Sequence, residues 1–415
     1  MKILFFSHIS EVKTNSKYLG GNWISSLINQ MSNFSNVKIG IAAIGNKKMF
    51  KVVTNNITVY SLQTKRTSLL RKYLYNISHS IYETKNLDQY KIILDDFKPD
   101  IIHVFGTESE HALHLSKLDI PLIIHIQGIM KPCLYKWFPQ GINNLDVLLF
   151  NTLLKTIRGS GLFHDYYRHK KLVKREALIL KSAKYITGRT HWDKLVMMQL
   201  APNATYFHCD EMIRNEFSNY NWNYFVSDKI IMTTIINENV YKGLDTIFDT
   251  ALILKEQGIN YEWNIVGINT DSILVRLFKY KVKAKLTDLS IHFLGVKNGE
   301  DIIKLLLNSN LYIHPSHIDN SPNSICEAMM IGIPVISSDV GGISSLITNN
   351  EDGILFPDGD VFTLVSQIKQ FIKDKDKQII LSNNSMRRAR SRHKSETITS
   401  NLINIYETII NNENK

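Results

Sequence analysis

The stretch Pro315-Ser316-His317-Ile318-Asp319-Asn320-Ser321-Pro322-Asn323-Ser324-Ile325-Cys326-Glu327-Ala328-Met329-Met330 decides the fold that the sequence predicts. An apolar strand at residues 311–314 runs into a turn of Asp, Asn, Ser and Pro, and Pro322 suits the first position of a helix. An apolar helix at residues 325–331 follows. This order of strand, turn and helix places free backbone N–H groups at the carboxyl edge of a parallel sheet, where α/β proteins bind phosphates and sugars.

Two acids in this stretch are candidates for ligand binding. Asp319 lies before the predicted helix and Glu327 lies inside it, so both can flank a single ligand. For the two acids alone, a turn and a helix with surface carboxylates is the simpler interpretation. The whole string, followed by Gly341-Gly342, favours a ligand site.

The string resembles the donor-sugar motif of the retaining glycosyltransferase family 4, also called glycosyl transferases group 1. Members adopt the GT-B fold, an α/β fold with two Rossmann-like, doubly wound parallel-sheet domains facing a central cleft. The family motif is two glutamates separated by seven residues, and here Asp319 and Glu327 occupy those positions. The variant at residues 319–328 is similar to a branch found in bacterial polysaccharide clusters.

The resemblance assigns roles to these positions. It implies that Asp319 binds hydroxyls of the donor sugar, that Glu327 holds the nucleotide ribose, and that amides between them cradle sugar and phosphates. Asp319 is one methylene shorter than the usual glutamate, which alters its reach towards the sugar. The donor-binding residues implied in this way are Glu327, Asn320, Ser321, Pro322, Asn323, Ser324, Val296, Gly267, Gly20 and Gly21.

Two residues are candidates for the cations that bind the donor diphosphate. Lys242 precedes Gly243 at a predicted strand-to-helix turn, which suits a cation that meets a diphosphate, although a surface lysine before a helix is the alternative. The family usually has an arginine a few positions earlier, where this chain has Asn237. Arg189, from the first half of the chain, is the candidate substitute. Its alternative is an ion pair with Asp193 or Glu211.

The first half alternates short apolar strands with helical stretches, which predicts one doubly wound α/β domain. Several strands end in polar residues that resemble the same family and belong at the mouth of the cleft. Glu108, Gln127 and Gly128 are the acceptor-side candidates. His125 joins Lys242, Asp319 and Arg189 as a catalytic candidate, with a satisfied core histidine as an equal alternative.

The predicted domain boundaries follow from composition and pattern. Residues 1–209 form the acceptor-side domain, whose first strand at residues 3–6 is too short for a signal peptide. Residues 210–228 are a polar and aromatic linker, and residues 229–394 form the nucleotide-sugar-binding domain. Apolar residues at helical spacing predict a last helix at about 395–415 that packs back on the first domain.

Charge is divided unevenly along the chain. Residues 1–210 contain 28 Lys+Arg and 14 Asp+Glu, whereas residues 211–415 contain 21 and 24, so the net +11 comes from the first half. A basic segment at residues 158–184 suits an anionic membrane surface or an anionic acceptor, or is simply a solvated helix face. Because no nucleic-acid motif or stacking platform accompanies it, nucleic acid is not an expected partner.

No cofactor or metal is expected beyond the nucleotide-diphosphate sugar substrate. Residues 358–360 and 374–376 match an Asp-x-Asp metal pattern, but both lie in turn or charged-surface contexts, and Asp360 is predicted to cap a helix instead. The three cysteines have neither metal-like nor redox spacing, which suits a reducing cytosol. The expected location is cytoplasmic, with a peripheral position at the inner face of the membrane as an extension.

The sequence therefore predicts a retaining, metal-independent glycosyltransferase. It would move a sugar from a UDP- or GDP-sugar to a saccharide or lipid-linked saccharide acceptor in surface polysaccharide synthesis. Two alternatives come from other classes. A nucleotide-sugar epimerase of the same fold would convert the donor without an acceptor. A non-enzymatic protein that binds polyanions or membrane surfaces would use the basic half and leave residues 319–327 without a role.

Overall fold

The computed structural model describes residues 1–7, 23–45, 50–54, 56–63, 73–74, 77, 87–139, 142–143, 145–146, 150, 157–283 and 286–414. Gly20 and Gly21, two of the predicted donor-binding residues, lie outside the described residues. Two separate sheets organise the chain, one in each half.

The first sheet has eight strands in the order β3-β4-β2-β1-β5-β6-β7-β8. All neighbours are parallel except β3, which pairs antiparallel with β4 at one edge. Its strands are β1 (Lys2–Ser7), β2 (Lys38–Gly45), β3 (Phe50–Thr54), β4 (Ile57–Gln63), β5 (Ile101–Phe105), β6 (Leu122–His125), β7 (Tyr185–Gly188) and β8 (Thr205–His208). The predicted first strand is confirmed, and it is a buried strand between β2 and β5 in this sheet.

The second sheet has six parallel strands in the order β11-β10-β9-β12-β13-β14. They are β9 (Ile230–Ile235), β10 (Tyr261–Val266), β11 (Ile291–Gly295), β12 (Leu311–His314), β13 (Val335–Ser338) and β14 (Ile354–Phe356). In four of these six strands, all residues or all but one are buried, as expected for parallel strands that are covered on both faces. The predicted strand at residues 311–314 is confirmed.

Helices connect the strands and cover both sheets. They are α1 (Trp23–Met31), α2 (Leu87–Phe97), α3 (His111–Leu115), α4 (Met130–Tyr135), α5 (Leu162–Ser182), α6 (His191–Leu200), α7 (Leu244–Glu256), α8 (Ile273–Val282), α9 (Gly299–Leu307), α10 (Asn323–Ile331), α11 (Ile343–Leu346), α12 (Val361–Phe371), α13 (Lys375–Arg392) and α14 (Ser395–Glu413). Short 3₁₀ helices lie at Asn215–Asn219, Val240–Lys242 and Leu286–Leu289. No helix within the described residues is both long and apolar enough to span a membrane.

The last helix returns to the first sheet. Apolar residues of α14, including Leu402, Tyr406 and Ile409, are buried in one core cluster with residues of β1 and α1. The helix therefore belongs to the first half in space and to the second half in sequence. Its apolar spacing buries this face against the sheet.

The segment predicted as a linker packs firmly on the second half. Phe217 and Trp222 are buried, and the Trp222 backbone N–H donates to the carbonyl of Ile331 at 2.8 Å. The indole Nε1 of Trp222 donates to the carbonyl of Ser309 at 2.7 Å. The chain between the two sheets is thus anchored to the second one through α10.

Candidate nucleotide-sugar site

A cavity of about 450 Å³ lies between the carboxyl edges of the two sheets. The first half contributes Trp23, Gln127 and Arg189 to its lining, each from the end of a strand or the start of a helix. The second half contributes the turn at residues 321–324 and four further polar residues, namely Asn237, Lys242, His314 and Asp319. The cavity therefore lies at the carboxyl edge of the parallel sheet, where the sequence predicted a ligand site.

Asp319 forms an ion pair with Lys242 inside the cavity and also contacts His314. Its Oδ2 lies 2.6 Å from Lys242 Nζ and 3.1 Å from His314 Nε2. Burial favours the neutral carboxyl, but Lys242 and His314 outweigh burial and hold the pKa of Asp319 well below its usual range. The carboxylate is therefore ionised, and its other oxygen, Oδ1, accepts from the backbone N–H of Asn320 at 3.2 Å.

Lys242 reaches Asp319 because of a close backbone contact. It ends the 3₁₀ turn Val240–Lys242, and the next residue, Gly243, has a φ of +79°. A Cβ at Gly243 would lie 2.0 Å from the carbonyl oxygen of Pro315, so only glycine lets the two loops approach. The turn that carries Lys242 is thereby pressed against the start of the Asp319 loop.

The start of α10 forms another wall of the cavity. The helix begins at Asn323, and Pro322 is at its N-cap with a ψ of 121°, so the prediction of Pro322 as the first helical residue was wrong by one position. Residues 321–324 line the cavity. The first N–H groups of a helix have no intrahelical acceptor, and the helix dipole favours an anion there.

Two side chains of the predicted donor turn bind protein groups from distant parts of the chain. The side-chain amide of Asn320 contacts Thr190 and Asp193 of the first half. Ser321 Oγ donates to Glu211 Oε1 at 2.7 Å. These contacts leave the backbone of the turn, rather than these two side chains, to meet a ligand.

Glu327 lies in a different environment from Asp319. It is buried inside α10 and does not line the cavity that contains Asp319. Arg214 Nη2 lies 2.7 Å from its Oε1. Burial nevertheless raises the pKa of Glu327 to about 7, because Arg214 offsets only part of the burial cost and Glu216 adds repulsion.

Arg189 brings a second cation into the cavity. Its Nη2 donates to the carbonyl of Gln127 at 2.8 Å, and its guanidinium lies 5.6 Å from the ring centre of Trp23. The indole Nε1 of Trp23 donates to Gln127 Oε1 at 3.1 Å. Glu211 Oε2 is 3.9 Å from Arg189 Nε, so the predicted alternative of a pair with Glu211 is present alongside the cavity position.

The structure places the other predicted catalytic residue behind the cavity wall. His125 is fully buried on β6, where its ring stacks on His103 at 5.4 Å and lies 4.8 Å from Trp23. Burial lowers the pKa of His125 well below its usual value, so the ring is neutral. Within the described residues, neither ring nitrogen has a hydrogen-bond partner.

The remaining predicted residues are at or near the sheet edges. Glu108 lies beside Gly128, and burial raises the pKa of its carboxyl. Gly267 has a φ of +98° at the end of β10, where a Cβ would lie 2.0 Å from the carbonyl of Ile236. Val296 follows β11 and is 84% exposed. None of these four residues lines the cavity described above.

Sequence reasoning missed three residues of the site. Trp23 comes two residues after Gly21, and His314 directly precedes Pro315-Ser316, so position along the chain was a usable signal for both. Arg214 has no such signal, because it is far from Glu327 in sequence and meets it only when the segment between the sheets folds onto α10.

Aspartates of both predicted Asp-x-Asp patterns make hydrogen bonds or ion pairs with other groups of the protein. Asp358 accepts from His317 Nδ1 at 2.6 Å and from Lys136 Nζ at 2.7 Å. Asp360 caps α12 through the N–H of Thr363, which confirms the predicted cap. Asp374 caps α13 in the same way.

One buried group has the spacing of metal ligands. Glu211, Cys326 and His393 offer ligand atoms within 4.8 Å of one another. Burial would raise the pKa of Glu211, but His393, Arg189 and Arg392 lower it to about 2. Because two arginines already neutralise this carboxylate, the group has the character of a buried ion-pair cluster between the sheets.

Comparison with known proteins extends these observations. The family described as "Glycosyl transferases group 1" matches residues 223–388, which include the whole second sheet. The amylovoran biosynthesis glycosyltransferase of Erwinia amylovora is 31% identical over 131 residues, which cover 30% of this chain and 31% of that protein. The N,N'-diacetylbacillosaminyl-diphospho-undecaprenol alpha-1,3-N-acetylgalactosaminyltransferase of Campylobacter jejuni is 23% identical over 187 residues, which cover 45% of this chain and 47% of that protein. The alignments thus span less than half of either relative.

Solved structures match the whole chain. Sucrose-phosphate synthase from Thermosynechococcus elongatus superposes with a TM-score of 0.73 at 13% identity and covers 98% of both chains. At this identity the likeness concerns the fold. The chain has the GT-B fold, with two parallel-sheet α/β halves, and the fold prediction is confirmed.

Proposed function

Because residues 223–388 match the glycosyl transferases group 1 family, we propose that the whole chain is a retaining glycosyltransferase of bacterial surface polysaccharide synthesis. Its donor would be a UDP- or GDP-sugar, and its acceptor a saccharide or lipid-linked saccharide. The observation that carries the proposal is the cavity in which Lys242, Arg189 and the start of α10 face one another. Two cations and a helix N-terminus together suit a diphosphate.

The donor would lie across the second half. Its diphosphate would meet Lys242 and the amides of residues 321–324, and its sugar would lie beside Asp319. Oδ1 of Asp319, which also accepts from the backbone N–H of Asn320 at 3.2 Å, would accept hydrogen bonds from sugar hydroxyls, while Oδ2 stays with Lys242 and His314. Glu327 and Arg214 would hold the ribose. Gly267 and Val296 follow strands β10 and β11, where backbone groups can meet the base.

The proposed reaction needs no nucleophile from the protein. The bond between the anomeric carbon and the phosphate oxygen breaks, and the electron pair leaves with the nucleoside diphosphate. The acceptor hydroxyl forms a new bond to the same face of the anomeric carbon, and its proton passes to the departing phosphate oxygen. Lys242 and Arg189 would stabilise the negative charge that grows on that phosphate, and preorganised charges of this kind are a major source of catalysis.

We propose that the reaction uses protein cations in place of a bound metal. Asp360 and Asp374 are used in helix caps, and Asp358 contacts His317 and Lys136. The cluster of Glu211, Cys326 and His393 is compensated by arginines. Full turnover in excess EDTA is the expected result, and activity that returns only with added Mg²⁺ would overturn this part.

The acceptor would enter from the first half, past Gln127, Gly128 and Glu108. The exposed lysines of α5, which are Lys170, Lys174 and Lys181, give this half a basic face that suits an anionic membrane surface. We expect the chain to sediment with vesicles that contain phosphatidylglycerol and not with phosphatidylcholine vesicles. Replacing the three lysines with glutamine should abolish this difference, and equal sedimentation of both proteins would contradict it.

The first experiment is a thermal-shift panel with UDP, GDP and ADP, followed by sugars on the best base. One nucleotide should raise the melting temperature, and Glu327→Ala should lose that shift. Glu300→Ala, on the exposed surface of α9, is the matched control and should keep it. Absence of a shift with all three nucleotides would overturn the proposed function and favour the polyanion-binding alternative. Conversion of the donor sugar without an acceptor would favour the epimerase.

A further inference from the structure

A single side-chain amide joins the donor turn to the first half of the chain. Thr190 Oγ1 donates to Asn320 Oδ1 at 2.7 Å, and Asn320 Nδ2 donates to Asp193 Oδ2 at 2.9 Å. Asn320 Nδ2 is also 3.4 Å from the carbonyl oxygen of Gln127. Asn320, Thr190 and Asp193 are all at least 96% buried. We name these three residues the amide clasp.

We infer that the amide clasp positions Arg189 as the second cation for the donor diphosphate, so that this chain completes its diphosphate site with a residue from the opposite half. The inference rests on the proposed function and adds a positioning role to it. Asn320, Thr190 and Asp193 are positioning residues in this account, and Arg189 is the group that touches the donor.

Arg189 is held by the same carboxylate that holds Asn320. Asp193 Oδ2 accepts from the backbone N–H of Arg189 at 2.8 Å and from that of Thr190 at 3.2 Å. Thr190 in turn caps α6 by accepting from the backbone N–H of Asp193 at 3.1 Å. The backbone of Arg189 is therefore fixed through Asp193 to the residue that follows Asp319. A shift of the donor turn would shift the position of Arg189 relative to the donor.

The distribution of cations explains why this position matters. Lys242 and Arg189 are the Lys and Arg residues among the described residues that line the cavity. Asn237 also lines it, at the place where an arginine would put a second cation on the donor's own half. A donor bound to the second half alone would thus meet one side-chain cation, and the other arrives only when the clasp is formed.

The backbone around the clasp is shaped for close approach. A Cβ at Gly342 would lie 2.2 Å from the carbonyl oxygen of Asn320 and 2.7 Å from Thr190 Oγ1. The N–H of Gly342 donates to the carbonyl of Asp319 at 3.0 Å. Glycine at this position lets a loop of the second half support the donor turn at the point where Thr190 enters.

The test measures how strongly the chain distinguishes a nucleoside diphosphate from the matching monophosphate. The probes are UDP and UMP, or the corresponding pair for the base that stabilises the wild-type chain, titrated by calorimetry. Arg189→Ala and Asn320→Ala should each weaken the diphosphate by about 10- to 100-fold, the range for a lost charge-assisted contact. Both variants should leave the affinity for the monophosphate unchanged, because that ligand lacks the terminal phosphate.

A second substitution separates positioning from general damage. Asn237→Arg, introduced into Asn320→Ala, should restore most of the affinity for the diphosphate by supplying a cation on the donor's own half. Asn308→Ala, an exposed asparagine of the second half, is the matched control and should change neither affinity.

Three results would overturn the inference. The first is an Asn320→Ala variant with wild-type preference for the diphosphate. The second is an equal loss of both affinities, which indicates a purely structural role for Asn320. The third is failure of Asn237→Arg to restore the preference. If the wild-type chain binds no nucleotide, the proposed function itself fails, and this outcome is distinct from the other three.

Discussion

Asp319 and Glu327 belong to one short stretch of chain, yet the structure gives them opposite electrostatic environments. Asp319 lies in the cavity beside Lys242 and His314, which keep it ionised. Glu327 lies within α10 beside Arg214, and burial raises its pKa to about 7. The comparison teaches that spacing along a motif fixes where two acids lie, whereas the partners that reach them from elsewhere fix their charge.

The two environments suit different tasks. An ionised carboxylate that protein contacts hold in place can orient a sugar throughout a reaction that changes charge nearby. A carboxyl that titrates near neutrality accepts stronger hydrogen bonds from ribose hydroxyls when it is ionised, so its binding strength depends on pH. The predictions that follow test this division, starting with the largest expected effect.

The largest expected effect on turnover comes from removing Lys242, the cation beside Asp319. We expect Lys242→Ala to lower turnover by about 10²–10³, because a preorganised cation for the leaving phosphate is removed. The measurement is the initial rate of nucleotide release with donor and acceptor present. Lys255→Ala, on the exposed surface of α7, serves as a surface-lysine control and should retain the wild-type rate. A Lys242→Ala variant with most of its activity would refute the assigned role.

Loss of Asp319 should separate turnover from nucleotide binding. We expect Asp319→Ala to lower turnover by about 10- to 100-fold, as loss of a charged hydrogen-bond partner does. The affinity for free UDP or GDP should not fall, because the variant removes a contact to the sugar and frees Lys242. Calorimetric titration and initial rates measure the two effects. A matching loss of nucleotide affinity would contradict the division between the two acids.

Nucleotide affinity should depend on pH through Glu327. The pKa of about 7 means that most of this carboxyl is protonated at pH 6 and ionised at pH 8. If the ionised form binds the ribose, affinity should fall about tenfold from pH 8 to pH 6, one factor of ten per pH unit below the pKa. Glu327→Gln should bind more weakly and lose this part of the pH dependence. The phosphate of the nucleotide titrates equally with both proteins, so the difference between them isolates Glu327.

The second half was predicted from sequence more completely than the first, for a physical reason. Strand β12, the donor turn and α10 follow one another along the chain, so local turn chemistry and apolar periodicity specify them together. The predicted positions of Asp319, Lys242 and the α10 turn lie in one cavity. The helix start was displaced by one residue, a difference within the ordinary uncertainty of helix boundaries.

The first half depends on contacts between distant segments. The strand ends that carry Gln127 and Arg189 were visible as apolar runs followed by polar residues, but the position of Trp23 between them depends on the packing of α1. Periodicity also could not place His125 relative to the cavity, because a strand buried on both faces gives no signal for the side that faces a ligand. The antiparallel edge strand β3 was not predicted, since its five residues carry little alternation.

The smallest predicted effect is the change in the free energy of unfolding when Arg214, the partner of Glu327, is replaced. Removing one partner of a buried pair usually costs several kcal/mol, because the remaining charge is left unpaired. Here the carboxyl can take up a proton instead, so Arg214→Gln should cost only about 1 kcal/mol at pH 6. A carboxyl whose folded-state pKa is raised stabilises the fold at low pH, and that contribution is lost as pH rises through the folded pKa. Without Arg214 the folded pKa rises further, so the loss of stability should be greater at pH 8.

Guanidinium unfolding of wild type and Arg214→Gln at the two pH values measures this difference. We expect the gap in free energy of unfolding between the two proteins to widen from pH 6 to pH 8 by up to about 1.4 kcal/mol, because only the pH unit above the wild-type pKa of about 7 separates them. In a Glu327→Gln background the same arginine substitution should give a gap that does not change with pH, because no carboxyl remains to titrate. A gap that is the same at both pH values with Glu327 present would show that Arg214 and Glu327 are not coupled. The proposed ribose site would then lose the cation that keeps its carboxyl able to ionise near neutrality.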